Sequence, residues 1–330
     1  MPSSIDPARH AQLNAVRLRA VADDAGTPLT GDVTALGAGA AALTADGTGW
    51  VLLADLADRG PDQQLGAALA WAVRRDVGSL HVLAERGTGT LARRAAWFSL
   101  PVRVSQLDGR VLVAAEPEPL PPVDVVRDDH RALADLIVAG GATPVEEHGV
   151  LVGEVDGLEV CRVVDVPETG EVRLEVGVGA HDRETFQLLH GDRPTVEALA
   201  DVVRAVTQHR RTDAAPHPLK QLAASRLLRS RIVAEPSLVG LDALVAVDPP
   251  LARPNLKDQL PCAAVEHASH TLVVCSTGID LEVVPWAGDA AAMHAARRCV
   301  VAVPERDAID LQHRLAALLR VPTTVVGIAG

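Results

Sequence analysis

Apolar residues recur along this chain in two rhythms, a 3.6-residue period typical of helices and short runs typical of buried strands. In the first third, Leu65, Leu69 and Val73 share one helical face, and Leu80–Ala84 forms an apolar run. The pattern over the first 115 residues predicts a helix over 7–21, strands over 32–36, 40–44 and 50–56, a helix over 62–75, a strand over 80–84, a helix over 90–98 and a strand over 102–106. This alternation predicts an α/β unit.

Two proline-rich stretches, Glu116–Pro122 and Thr212–Pro218, interrupt the pattern and are typical of stiff linkers. They divide the 330 residues into three predicted domains, 1–115, 125–211 and 217–330. The middle segment has a helix pattern over 128–138, strand patterns over 150–154, 158–163 and 172–178, and a helix pattern over 195–210.

The third segment repeats the order of the first. Thr271–Cys275 aligns with Trp50–Ala54 at an offset of 221 residues, and Glu305-Arg306 aligns with Glu85-Arg86 at an offset of 220. Similarity within a chain at a nearly fixed offset is typical of an internal duplication. We therefore predict that the first and third segments are related by duplication.

Helix, three strands, helix, strand is the core order of the restriction-endonuclease-like fold, and all three segments can be read in that order. In element order the chain therefore resembles the PD-(D/E)XK nuclease superfamily. The resemblance implies three α/β units with mixed sheets. A Rossmann-like unit with an added hairpin gives nearly the same order and is the alternative.

The resemblance also implies an acidic residue on one strand and an Asp/Glu-x-Lys motif on the next. The two carboxylates would hold Mg²⁺, and the lysine would position the attacking water. The nearest match has Asp156 before one strand and Glu175 on the next, with Gly177 in the place of the lysine. His181 or Arg183, a few residues further on, are the candidates to replace that lysine.

A structural interpretation of the same residues stands beside the catalytic one. Asp156-Gly157 has the composition of a hairpin turn, and Glu175 fits an outward-facing strand position. Neither lysine of the chain, Lys220 or Lys257, lies in an Asp/Glu-x-Lys pattern. We therefore expect no enzymatic activity, with a Mg²⁺-dependent nuclease as the alternative.

Charge sets a limit on nucleic-acid binding. The formal net charge is −12 and the sequence pI is about 5.4, which counts against extended contact with phosphates. Residues 204–231 depart from this balance. The basic residues of this span are Arg204, Arg210, Arg211, Lys220, Arg226, Arg229 and Arg231. They form either a phosphate-contacting surface or a contact between domains in which they pair with acidic residues.

Two further groups of charged residues are candidate binding sites. Glu85-Arg86 and Glu305-Arg306 follow buried strands, where ligands of open α/β sheets bind, so they predict a ligand cleft or two surface ion pairs. Acidic residues after equivalent strands predict either a cation site or solvated helix starts. They are Asp55, Asp58 and Asp62 in the first segment, and Asp280, Glu282 and Asp289 in the third.

The four cysteines show no paired spacing, so they predict buried free thiols rather than a zinc site. No apolar run approaches the roughly 18 residues of a membrane-spanning helix. The start of the chain has no signal-peptide pattern, so we expect a cytoplasmic location and no membrane partner.

The function predicted from these patterns is that of a non-catalytic intracellular scaffold or interaction protein without a cofactor. Nucleic acid, bound through residues 204–231, or another protein is the expected partner. The alternatives are the nuclease, with Mg²⁺ held near Asp156, Glu175 and His181, and a protein that binds a small ligand between Glu85 and Glu305.

Overall fold

The computed structural model describes residues 7–57, 59–167, 169–190, 195–211, 214–215, 217–251 and 260–330. Asp58, Lys257 and part of the second proline-rich stretch lie outside these residues. The chain divides into two compact units. Unit 1 comprises the described residues of Met1–Leu120, Ile279–Cys299 and Ala308–Val325, and unit 2 comprises those of Pro121–Gly278, Val300–Asp307 and Val326–Gly330.

The first part of unit 1 builds a six-stranded sheet with the strand order β1-β2-β3-β4-β5-β6. In chain order its elements are α1 (Pro7–Asp24), β1 (Leu29–Leu36), β2 (Gly39–Thr44), β3 (Gly49–Leu52), α2 (Leu65–Arg74), β4 (Leu80–Ala84), α3 (Thr88–Ala95), β5 (Val102–Asp108) and β6 (Val111–Ala114). Strands β3, β4 and β5 are parallel, and their other neighbours pair antiparallel. Helices α2 and α3 are the crossover connections that parallel pairing requires.

One core of unit 1 lies between α1 and the sheet. Leu18 and Val21 of the helix pack with Trp50 and Leu52 of β3 and with Leu83 of β4. Every residue of β4 is buried, as expected for a central strand that is covered on both faces.

The next part of the chain belongs to unit 2. Its elements are α4 (Asp128–Arg131), α5 (Ala134–Ala139), β7 (Thr143–Glu147), β8 (Val150–Val155), β9 (Leu158–Asp165), β10 (Val172–Val176), α6 (Gly179–His190), α7 (Thr195–Arg210), α8 (Pro218–Gln221), α9 (Ala224–Ala234), β11 (Val245–Val247), β12 (Cys262–Glu266) and β13 (Thr271–Cys275). The last elements of the chain are α10 (Val283–Met293), β14 (Arg298–Pro304), α11 (Asp310–Ala316) and β15 (Thr323–Ile328).

Strands β7 to β10 form an antiparallel sheet with the order β10-β9-β8-β7. Its core includes Ile137 of α5, Leu151 of β8, Val160 of β9 and Leu199 of α7. Gly140 lets α5 and α7 approach closely, because a Cβ at that position would lie 2.4 Å from Leu199 Cδ2.

The third sheet has the order β11-β12-β13-β14-β15. In unit 2 a separate core joins α9 to this sheet, with Leu228 and Ile232 of the helix packed on Cys262, Cys275 and Val300. Strands β12 and β13 are buried along their whole length.

The predicted mixed α/β class is confirmed, with sheets of six, four and five strands. The duplication, the restriction-endonuclease-like order and the three-domain division stay predictions. The helix predicted over 128–138 is two short helices, α4 and α5, and the pattern did not predict β6, β7 or α6. The prediction of buried free thiols is confirmed for all four cysteines. Within the described ranges, no helix is long and apolar enough to cross a membrane.

Candidate functional site

A cavity of about 710 Å³ in unit 2 brings together many of the residues that the sequence singled out. Five cationic side chains and two carboxylates line it. These charged residues are Asp156, Arg210, Arg211, Lys220, Arg231, Glu305 and Arg306. Leu227, Leu228, Pro304 and Ile328 are among the apolar lining residues. The formal charge of the lining side chains is positive, in contrast to the negative charge of the whole chain.

A tight turn and helix α9 form part of the cavity wall. Asp156 and Gly157 join β8 to β9 with φ angles of 46° and 77°, as a two-residue Asp-Gly hairpin turn requires. A Cβ at position 157 would lie 2.3 Å from the carbonyl carbon of Arg226 in α9. Glycine therefore lets the turn pack directly on the backbone of the helix.

Arg210, the last residue of α7, is only 2% exposed and fixes this wall from inside. Its Nε and Nη2 atoms donate to the carbonyl oxygen of Asp156 at 3.0 and 2.6 Å. Its Nη1 atom donates to the carbonyls of Leu219 and Leu222 at 2.7 and 2.8 Å. Arg210 thus holds the turn and the segment around α8 together.

The other cationic residues of the cavity lie closer to solvent. Lys220 donates from Nζ to the carbonyl oxygens of Arg211 and Ala214, each at 3.2 Å. Arg231 is exposed on α9 and donates from Nη1 to the carbonyl oxygen of Ala329 at 2.5 Å. Arg306 keeps 87% of its side chain exposed. Arg231 and Arg306 can turn toward a bound anion without leaving a buried position.

Arg226 and Arg229 belong to the same basic span but do not line the cavity. In unit 2 they form a buried cluster with Glu147 of β7 and Glu154 of β8, and each arginine contacts both carboxylates. Arg226 Nη1 lies 2.7 Å from Glu154 Oε1, and Arg229 Nη2 lies 3.1 Å from Glu154 Oε2. At most 10% of any of these four side chains is exposed.

Within the cluster, two guanidinium groups act on the carboxyl group of Glu147. Burial alone would raise the pKa of the Glu147 carboxyl, but Arg229 and Arg226 hold that pKa below its ordinary value. Because the arginines are permanently protonated, the four groups form a balanced buried network rather than a surface for phosphate. These contacts are of the acid-pairing kind that the sequence left open.

Arg204 is the member of the span that lies outside both arrangements. Its side chain is 68% exposed, and Nη1 contacts Asp201 one turn earlier on α7 at 3.0 Å. The basic span therefore divides into cavity-lining residues, a buried cluster and one exposed helix pair.

The structure does not bring the two proposed catalytic carboxylates together. Asp156 lies in the turn before β9, whereas Glu175 on β10 pairs with Arg162 of β9. Arg162 is four residues beyond Leu158, the first residue of β9. At about 3.3 Å per residue, Glu175 is roughly 13 Å along the sheet from the turn.

The carboxylate of Glu175 pairs with arginines of unit 2. Its Oε1 atom accepts from Arg173 Nη2 at 2.5 Å, and its Oε2 atom lies 3.8 Å from Arg183 Nε. His181 is exposed on α6. Gly177, in the place of the family's lysine, has a φ of 143°, and a Cβ there would lie 2.7 Å from the amide nitrogen of Arg183. That position is closed to a lysine side chain, and the nuclease hypothesis stays a prediction.

The residues of the predicted ligand cleft have different surroundings. In unit 1, Arg17 Nη2 lies 2.5 Å from Glu85 Oε1, and Arg86 pairs with Asp55. In unit 2, Glu305 and Arg306 line the 710 Å³ cavity.

Unit 1 has a smaller cavity of about 410 Å³ beside the loop that follows β3. Glu282, just before α10, lines it and is mostly buried. Its Oε1 atom accepts from the amide of Gly66 at the start of α2, and Arg94 Nη1 lies 3.9 Å from its Oε2 atom. Burial raises the pKa of Glu282 to about 7, although Arg94 and the Gly66 amide oppose the rise.

Asp289, another residue of the predicted acidic clusters, is fully enclosed in unit 1. Its carboxylate accepts from Arg93 Nε at 3.1 Å, Arg94 Nε at 2.8 Å and Trp97 Nε1 at 3.0 Å. The oxygen atoms of this carboxylate accept hydrogen bonds from protein side chains and are not arranged around a metal-ion site. The described part of the chain contains no group of three or more His, Cys, Asp or Glu residues placed to hold a metal ion.

Sequence reasoning did not single out Glu147 or Glu154, the acids that pair with the arginines of α9. The available signals were a carboxylate inside the apolar run of β8 and two arginines three residues apart in α9. Comparisons of the chain with protein-family models, with curated proteins and with solved structures found no match.

Proposed function

We propose that this chain is a binding protein and that the unit 2 cavity takes a small organic anion. The observation that carries the proposal is that four cationic side chains besides the buried Arg210 line a single cavity of about 710 Å³, together with two carboxylates and several apolar side chains. Small-molecule sites are usually clefts of roughly 300–1,000 Å³ with an apolar lining and a few polar groups.

The lining offers partners for both the anionic group and the apolar remainder of such a ligand. Guanidinium and ammonium groups form short, charge-assisted hydrogen bonds with phosphate and carboxylate oxygens. Leu227 and Ile328 offer apolar surface for the remainder of the molecule. The function proposed is recognition, and none of its steps requires a metal or a catalytic base.

A small anion fits the arrangement better than a duplex. Arg226 and Arg229 are committed to buried carboxylates, and Arg210 is committed to backbone carbonyls. An extended phosphate backbone needs many exposed cations along one surface. These contacts lower the number of arginines that are available to it. Binding of nucleic acid is therefore an outcome of the test rather than the proposal.

The test uses inorganic pyrophosphate and adenosine diphosphate as probes in calorimetric titrations at low salt. We expect at least one probe to bind the wild-type chain. The Arg211→Ala/Arg231→Ala variant removes two cavity cations, so we expect about tenfold weaker binding or more. Arg204→Ala removes an exposed arginine from α7, outside the cavity, and is expected to leave the affinity unchanged.

The opposite results are equally clear. If neither probe binds, or if both variants bind as tightly as the wild-type chain, the cavity is not the anion site. If a DNA duplex binds more tightly than either probe and Arg204→Ala weakens that binding as much as the cavity variant does, a nucleic-acid surface replaces the proposal.

A further inference from the structure

Two of the four cysteines lie opposite each other on neighbouring strands. Cys262 of β12 and Cys275 of β13 are direct partners in the antiparallel register. Directly opposed residues share one face of a sheet, and their Cα atoms are about 4.5 or 5.5 Å apart. A disulfide needs a Cα separation of about 4.4–6.8 Å. The register therefore meets the Cα separation that a disulfide requires.

The contacts of the thiols agree with this placement. Both cysteines are free and buried, in the core between α9 and the third sheet. Cys262 Sγ lies 3.9 Å from the carbonyl oxygen of Cys275 and donates to the carbonyl oxygen of Ser225 at 3.3 Å. Cys161, by contrast, pairs across its sheet with Gly153 and Val176, which have no thiol.

Cys262 also differs from the other thiols in its electrostatic surroundings. Burial opposes ionisation, but a hydrogen bond from Cys275 and the charge of Arg229 hold the pKa of Cys262 below its ordinary value. Burial raises the pKa values of Cys161 and Cys299 to about 12. Since the thiolate is the nucleophile in thiol oxidation, Cys262 is the residue that reacts first.

We infer that Cys262 and Cys275 are an oxidation site at which a hydroperoxide produces a reversible cross-strand disulfide. The Cys262 thiolate attacks one peroxide oxygen, the O–O bond breaks, and the products are a Cys262 sulfenic acid and, for hydrogen peroxide, water after protonation. The Cys275 sulfur then attacks Cys262 Sγ, and the sulfenic oxygen leaves as a second water with the thiol proton.

The net reaction oxidises two thiols by two electrons and reduces one hydrogen peroxide to two waters. A dithiol reductant reverses it by thiol–disulfide exchange. Hydrogen peroxide is small enough to reach a buried pair when the surrounding structure opens locally.

The test is intact-mass spectrometry of the folded chain before and after treatment with hydrogen peroxide. We expect a loss of two hydrogens, a fall in titratable thiols from four to two, and recovery of both with dithiothreitol. Cleavage after Glu266 separates the two cysteines, so the oxidised chain is expected to give one disulfide-linked pair of peptides.

Matched variants make the assignment specific. Cys161→Ser and Cys299→Ser are expected to lose two hydrogens as the wild-type chain does. Cys275→Ser is expected to lose none and to leave a Cys262 sulfenic acid that dimedone traps. Cys275→Ala provides the same test if the serine variant does not fold. Four intact thiols after treatment that oxidises free glutathione, or a disulfide that includes Cys161 or Cys299, would overturn the inference.

Discussion

Helix α9 uses arginine in two ways within eleven residues. On one face Arg226 and Arg229 are buried against the carboxylates of Glu147 and Glu154. On another face Arg231 is exposed, lines the cavity and contacts only a backbone carbonyl among its described hydrogen bonds. The three residues have the same side chain, yet their partners give them different roles.

The difference shows why the charge of a sequence segment is a poor guide to its ligand. A guanidinium that is buried between carboxylates cannot leave them without a large energetic cost, so it stabilises the fold. An exposed guanidinium at a cavity can exchange water for an anion at little cost. The comparison therefore predicts a loss of stability when the first kind of arginine is changed and a loss of binding when the second kind is changed.

The largest effect is expected for Arg229→Met, which removes one arginine from the buried cluster. Glu147 and Glu154 would then share one guanidinium, so we expect the free energy of unfolding to fall by about 3–5 kcal/mol. Urea unfolding followed by circular dichroism measures the change. A fall below about 1 kcal/mol would contradict the structural role of the cluster.

Replacing the whole cluster separates charge burial from packing. In the variant Glu147→Met/Glu154→Met/Arg226→Met/Arg229→Met no charge is left buried, and such apolar replacements are often neutral or stabilising. We therefore expect this fourfold variant to be more stable than Arg229→Met alone. The reverse order would show that the arginine side chains act mainly through their packing.

Glu282 extends the comparison to a buried carboxylate without a close guanidinium partner. Arg94 Nη1 lies 3.9 Å from its Oε2 atom. Its folded-state pKa of about 7 lies above the ordinary 4.5, so the folded chain holds a proton that the unfolded chain releases. The contribution to stability is present in full below pH 4.5 and is lost as the pH rises through 7. The total loss is about 3 kcal/mol.

The measurement is urea unfolding of the wild-type chain and Glu282→Gln across this pH range. Arg94, Arg59, Asp280 and the Gly66 amide also act on Glu282, and they are present in both chains. The stability difference, wild type minus variant, is expected to fall by about 3 kcal/mol from pH 4.5 to 7. A constant difference would refute the raised pKa, and the exposed Glu305→Gln is the control.

A smaller effect is expected where the turn of β8 and β9 meets α9. In Gly157→Ala, the new methyl group would press on the backbone of Arg226 at a positive φ, so we expect a loss of about 1–3 kcal/mol. Gly170→Ala has a similar φ of 70° but nothing within 4 Å, so it isolates the cost of the backbone angle. Equal losses in the two variants would show that the contact with α9 does not matter.

Much of the fold could be predicted from local patterns. Helix α7 has the bounds predicted from the sequence, and the Asp156-Gly157 turn follows from its composition. Strand β7 escaped prediction because Thr143–Glu147 contains a proline and two glutamates, which suit an edge strand but look like a loop.

The candidate site could be predicted only in part. The basic span was evident from its charges, but Glu147 is 79 residues from Arg226 along the chain. Only the packing of α9 on the antiparallel sheet brings them together, and no local period records such packing. For the same reason the sequence did not show that Arg211, Lys220 and Arg306 line one cavity.

The most direct test is calorimetric titration of the Arg231→Ala chain with whichever of pyrophosphate and adenosine diphosphate binds the wild-type chain more tightly, together with urea unfolding of the variant. We expect about tenfold weaker binding than in the wild-type chain and a free energy of unfolding unchanged within about 0.5 kcal/mol. Unchanged affinity in Arg231→Ala, or an equal loss of affinity in Arg204→Ala, would contradict the proposed anion site.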